Sequence, residues 1–85
     1  MASYRLLIKT SAVKELESLP QKDRRRIVRR VQALAENPRP PGAEKLTGVE
    51  LYRVRQGDYR VLYEIADAAE TITVIKVGNR RDVYR

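Results

Sequence analysis

A chain of 85 residues has room for one small domain with one core, burying about 60–65% of the surface its unfolded form exposes. It contains no cysteine and no histidine, which excludes a disulfide framework, thiolate chemistry, zinc-type ligand sets and the usual base at neutral pH; neither a metal nor a cofactor is expected. A net charge of +7, from 18 Lys and Arg against 11 Asp and Glu, directs attention to polyanionic partners: nucleic acid, the ribosome or an acidic protein.

No apolar run reaches the ~18 residues of a membrane-spanning helix, and the start does not read as a secretory signal. A cytoplasmic chain without a membrane partner is expected. With no interior linker, repeat or low-complexity tract, residues 1–85 read as a single domain.

Tyr4 to Lys9 reads as an opening strand, with Tyr4, Leu6 and Ile8 on one face and Arg5, Leu7 and Lys9 on the other. Leu7 predicts partial cover of that second side. Thr10 or Ser11 can cap a short helix through a side-chain oxygen; Val13, Leu16 and Leu19 supply its buried stripe and Pro20 closes it.

A longer helix is predicted from Gln21 to Glu36, with Ile27, Val31 and Leu34 at i, i+4 and i+7, broadened by Val28 and Ala35. So short a link makes the two helices an antiparallel hairpin. Arg25, Arg26 and Arg29 lie opposite the apolar stripe; a solvated basic face is the favoured reading, over docking on ribosomal RNA phosphates. Asn37-Pro38-Arg39-Pro40-Pro41-Gly42 cannot continue a helix, because its prolines remove donors and restrict the residues before them. Ala43 to Glu50 leads into the next elements.

Leu51 to Ile65, LYRVRQGDYRVLYEI, has the period-two pattern of a half-buried β-hairpin. If Gln56-Gly57 is a two-residue turn, Arg55 faces Asp58, Arg53 faces Arg60, Val54 meets Tyr59 and Tyr52 meets Val61. One side is then apolar, and the other carries Arg53, Arg55 and Arg60. A three-residue turn with a bulge would move Arg60 relative to the other two. Like charges directly opposite each other are mildly destabilising, so this face suits an anion such as phosphate. From pattern alone, an ordinary solvated sheet face carries equal weight.

After a turn at 66–70, Thr71 to Val77 reads as an interior strand covered on both sides, with Ile72 and Val74 on one face and Ile75 and Val77 on the other. The tail leaves that strand at Gly78. It brings Arg80, Arg81 and Tyr84 near the open face, although a frayed, charged terminus is the blander reading. The element string β-α-α-β-β-β predicts an α+β fold: an N-terminal strand and a two-helix hairpin packed on one face of a mainly antiparallel four-stranded sheet.

The order of ENPRP, KLTG, LYRVRQGDYRVLYEI and VIKVGNRRDVYR resembles the RelE/ParE superfamily of prokaryotic toxins, in particular its RelE-like branch, over essentially the whole chain. The resemblance implies a microbial-RNase-like α+β domain acting as a metal-independent, ribosome-dependent endoribonuclease. Such a toxin cuts mRNA in the ribosomal A site by 2′-hydroxyl attack and is held inactive by a RelB-like antitoxin in a hetero-oligomer. It further implies that Arg53 and Arg55 occupy the two basic positions of the first hairpin arm, Arg60 the phosphate-binding position of the second, Arg80 the arginine after the VG-x motif, and Tyr84 the base-stacking tyrosine.

Guanidinium groups can stabilise a crowded phosphorane and a leaving 5′-oxygen, and a stacked base aligns the attacking oxygen. This chain departs from the family in having arginine where well-known members place lysine at 53 and 55, and arginine stays protonated at any ordinary pH. Glu64, Asp58, Tyr84 or A-site RNA remain open as proton acceptors. The rivals are a ParE-like inhibitor that binds DNA gyrase without chemistry, and a non-catalytic RNA or ribosome binder.

Overall fold

The computed structural model describes residues 3–79. Seven elements follow in order: β1 (Arg5–Ile8), α1 (Thr10–Glu17), α2 (Gln21–Glu36), β2 (Glu44–Lys45), β3 (Tyr52–Gln56), β4 (Tyr59–Ala66) and β5 (Thr71–Asn79). The strands form one sheet in the order β1-β5-β4-β3-β2. β1 runs parallel to β5, and the remaining neighbours are antiparallel.

This is the predicted α+β architecture with one more strand than the four expected. Glu44 and Lys45 pair with Arg53 and Tyr52 and so add a two-residue edge. β5 is interior, between β1 and β4, and it continues through Asn79 instead of ending at Val77. The reason is that β4 still offers Arg60 and Tyr59 as partners for Gly78 and Asn79.

Both helices cover one face. Ile27, Val31 and Leu34 of α2 are fully or almost fully buried against Val54, Val61, Tyr63, Ile72, Val74 and Val77 of the sheet. Each large side chain withdrawn in this way is worth about 1.5–3 kcal/mol. In α1 the phase differs from expectation: Ala12 and Leu16 are buried and Val13 is exposed, because an i, i+4 pair lies along one line of the helix.

The N-cap of α1 is Lys9, without a side-chain cap bond, so Thr10 and Ser11 fall inside the first turn and neither is the cap. Leu7 is 46% exposed, and the predicted cover over it is not seen. No helix among the described residues is long and apolar enough to cross a membrane.

Two irregularities set the register. In β5, Leu62 pairs with Lys76 and Tyr63 with Val74, leaving Ile75 as a bulge. A bulge adds one residue and resets the alternation, which brings Val77 onto the same buried face as Ile72 and Val74 rather than the opposite one.

In the β3–β4 hairpin the two-residue turn is Gly57-Asp58, not Gln56-Gly57; Gln56 pairs with Tyr59, Arg55 with Arg60, Val54 with Val61 and Arg53 with Leu62. Gly57 has φ +61° and Asp58 is not among the positive-φ residues. That is the type II′ pattern, whose first central position is taken by glycine without steric cost. Placing Gln56 there would have forced a side-chain-bearing residue into the same strained region.

The 37–42 loop is pinned at the far end of the sheet. Arg39 donates to both carboxylate oxygens of Asp67, at 3.2 and 2.9 Å, and to the Tyr52 hydroxyl at 3.2 Å, while its guanidinium lies 5.2 Å from the Tyr52 ring centre. Tyr4 also donates to Asp67, at 2.7 Å. Hydrogen bonds from Arg39 and then Tyr4 pull the Asp67 carboxyl down to about 2. Buried Tyr63 donates to the Pro38 carbonyl at 2.7 Å, and burial pushes its hydroxyl up to about 12.

Candidate nucleic-acid interface

The helices lie on the face that carries Val54, Val61 and Tyr63, so strand alternation turns Arg53, Arg55 and Arg60 to the opposite face. That assignment survives the correction of the turn. Moving a two-residue turn by one position shifts every cross-strand pair by two, which preserves the face while changing the partner.

Arg55 is directly opposite Arg60, in place of the Arg53–Arg60 and Arg55–Asp58 pairs expected from the sequence. Because Gln56 and Tyr59 flank the turn as a hydrogen-bonded pair, the next pair is of the non-hydrogen-bonded kind, in which side chains approach more closely. Across the next gap, Arg60 faces Gly78 of β5. The row Arg55–Arg60–Gly78 therefore crosses three strands as two guanidinium groups beside a position with no side chain.

Arg53 is compensated differently. Its guanidinium is ion-paired with Glu44, the residue directly opposite on β2, and its side chain is only 14% exposed. Cross-strand pairs of this kind contribute roughly 0.2–1 kcal/mol. Arg53 thus holds the edge strand, while Arg55 is exposed and Arg60 half-buried beside it on the same face.

Of the acidic groups considered as proton acceptors, Glu64 is four residues along β4 from Arg60, about 13 Å at the rise of a strand, and it pairs with Thr73. Asp58 sits in the turn and is exposed. Neither is placed between the arginines. Arg80 and Tyr84, with Arg81, lie outside the described residues.

Two residues not singled out from the sequence shape this end of the sheet, Glu44 and Glu15, and Gly78, read from the sequence as the point where the tail leaves, instead pairs with Arg60. The roles of Glu44 and Gly78 could not be found by pattern, since they depend on a two-residue strand and on the ladder continuing past Val77. On the other side of the molecule, Tyr59 donates to Asp23 of α2 at 3.3 Å and ties the hairpin end to the helices. Chemically, adjacent guanidinium groups on the sheet face turned away from the helices can take phosphate oxygens through charge-assisted, bidentate hydrogen bonds.

Comparison with known proteins identifies the family and the fold. The family model of the ParE toxin of the type II toxin–antitoxin system, parDE, matches residues 6–84. Toxin RelE of Mycobacterium tuberculosis is 33% identical over 84 residues, covering 96% of this chain and 87% of that protein.

Among solved structures, the RelBE2 toxin–antitoxin complex of Mycobacterium tuberculosis superposes with a TM-score of 0.85 at 27% identity, covering 96% of this chain and 97% of the other. The archaeal RelE–RelB complex of Pyrococcus horikoshii gives 0.83 at 34% identity, covering 95% and 99%. A family match over nearly the whole length, with the same fold in relatives of this identity, places the chain in the RelE/ParE superfamily as a RelE-like toxin of a type II toxin–antitoxin system.

Proposed function

We propose that the protein is a ribosome-dependent endoribonuclease that cleaves mRNA in the ribosomal A site and so inhibits translation. The observation that carries this reading is the direct opposition of Arg55 and Arg60 on the sheet face turned away from the helices, next to Gly78. Two guanidinium groups set side by side by the backbone can reach the oxygens of one phosphate, and the scissile phosphate supplies them.

In the proposed reaction the neighbouring 2′-hydroxyl attacks phosphorus and the 5′-oxygen leaves, with Arg55 and Arg60 stabilising the charge that develops on the phosphorane. Arg53 orients the first hairpin arm through Glu44. By resemblance, Arg80 acts on the same phosphate and Tyr84 stacks on a base. An arginine is a poor base, so the arginines serve charge stabilisation and alignment, and the attacking proton leaves through another group or through the ribosomal RNA.

We place the protein in the cytoplasm, inhibited by a RelB-like antitoxin. A +7 chain favours an acidic segment that orders on binding. The ParE description of the matching family favours a second reading, inhibition of DNA gyrase by binding alone.

The test is primer extension on a reporter mRNA with programmed ribosomes and with naked RNA, beside a gyrase supercoiling assay. Cleavage confined to the A-site codon and to the ribosome-containing mixture is expected. Intact mRNA with inhibited supercoiling would establish the gyrase reading, and intact mRNA with unaffected supercoiling would point to a non-catalytic RNA or ribosome binder. Arg60→Ala should relieve growth arrest with an unchanged circular dichroism spectrum; a folded variant that still arrests growth would contradict its assignment.

A further inference from the structure

One carboxylate in α1 does work that strand pairing leaves undone. β1 ends at Ile8, opposite Val74, and the last main-chain bond from that side is Lys9 N–H to the Val74 carbonyl at 2.9 Å. β5 continues for five residues beyond Val74, and among the described residues only β4 pairs with it there. The ladder there is already interrupted by the bulge at Ile75.

Alternation determines which group is exposed. Gln56 and Tyr59 are the hydrogen-bonded pair flanking the turn, so Val54 and Val61 are the next such pair, and Val61 has its main-chain groups turned toward β3. Its partner across the other gap, Val77, therefore directs its N–H to the outer edge, beyond the end of β1.

Glu15 fills that place. One carboxylate oxygen accepts the Val77 N–H at 3.0 Å and the other accepts from the Lys76 ammonium at 3.2 Å. The side chain of Glu15 is 31% exposed, and it lines a cleft with Leu19, Tyr59, Gly78 and Asn79.

We propose that Glu15 is a positioning residue for the cleavage reaction, an inference that rests on the nuclease reading above. Its carboxylate accepts the Val77 N–H beyond the end of β1 and holds the last turn of the ladder closed, which keeps Gly78 opposite Arg60 and fixes the strand end at Asn79, the residue that Arg80 follows. Without it the Val77 N–H loses its acceptor and the register that sets Gly78 opposite Arg60 is less firmly held. Glu15 touches none of the reacting atoms and acts through the Val77 main chain.

The experiment uses the full chain with programmed ribosomes and measures kcat, KM and the amide hydrogen exchange of Val77 for wild type, Glu15→Ala, Glu15→Gln and Glu15→Asp. Loss of one hydrogen bond of ordinary net strength corresponds to about tenfold. Glu15→Ala should therefore exchange Val77 about tenfold faster and lower kcat about tenfold, with KM for the ribosomal complex within about twofold. Glu15→Gln, which keeps an acceptor for the N–H, should restore both toward wild type. Should the alanine variant fail to fold, Glu15→Asp carries the same expectation at smaller amplitude.

Faster Val77 exchange with unchanged kcat overturns the role, and so does a glutamine variant as slow in cleavage as alanine. A wild-type chain that leaves the mRNA intact overturns the nuclease reading and the role with it, while the exchange rates still report whether the tether exists.

Discussion

Replacing Arg55 by Gln should stabilise the isolated protein while weakening its activity. In the native sheet Arg55 and Arg60 are direct partners in a non-hydrogen-bonded pair, whose Cα atoms are about 4.5 Å apart. Like charges in that relation cost roughly 0.2–1 kcal/mol. Removing one of them returns that amount, since glutamine keeps the length of the side chain without the charge. For a domain of this size each kcal/mol shifts Tm by about 4–8 °C, so Tm should rise by about 1–8 °C.

The gain is electrostatic between an exposed and a half-buried group, so it should shrink as ionic strength rises from ~0.01 M to ~1 M, where the Debye length falls from about 30 to about 3 Å. Inorganic phosphate should narrow the difference by stabilising wild type more than the variant. Differential scanning calorimetry over that salt series, alongside the ribosome cleavage assay, measures both sides. A variant less stable than wild type at low salt, or a stabilisation that salt leaves untouched, would refute the repulsion argument. Full cleavage activity in the stabilised variant would remove Arg55 from the proposed site.

Further expectations concern the scaffold. Leu34→Ala, at a fully buried α2 position, should cost about 2–5 kcal/mol in urea unfolding. Tyr63→Phe removes the donor to the Pro38 carbonyl and should cost about 0.5–1.5 kcal/mol; it should also abolish the loss of stability between pH 10 and about 12 that Tyr63 causes, because a raised hydroxyl favours folding below its unfolded value and loses that advantage as pH climbs through the folded one.

Asp67 has the opposite sign. Its depressed carboxyl stabilises the fold above the usual carboxylate range and ceases to do so as pH falls from about 4 to about 2. Asp67→Asn should therefore be less stable than wild type at neutral pH and indistinguishable from it near pH 2 by thermal melting. Gly57→Ala, at φ +61°, should cost about 1–2 kcal/mol and would locate the strain at the turn.

The sequence by itself determined the two helices, the four longer strands and most of their faces. Apolar residues at period two and near period 3.6 leave little choice about which side of a strand or helix is withdrawn from water, so Ile27, Val31 and Leu34 were legible, and so was the common face of Arg53, Arg55 and Arg60. That face was insensitive to the misplaced turn, because parity is conserved when a two-residue loop slides by one. The turn itself was less legible, since a type I′ turn takes glycine second and a type II′ turn takes it first, and only the register shows that Gly57-Asp58 is the type II′ case.

Only the tertiary structure decided which charge meets which. Pairing depends on register and on distant segments: Glu44 compensates Arg53 through a two-residue strand, Arg39 finds Asp67 across 28 positions, and Glu15 reaches the Val77 N–H across 62. Likewise the bulge at Ile75 follows from packing, since a strict alternation would have turned Val77 out of the core. Periodicity reports on burial, a property of one residue and its solvent, whereas partners are set where separate elements meet, and no local pattern records that meeting.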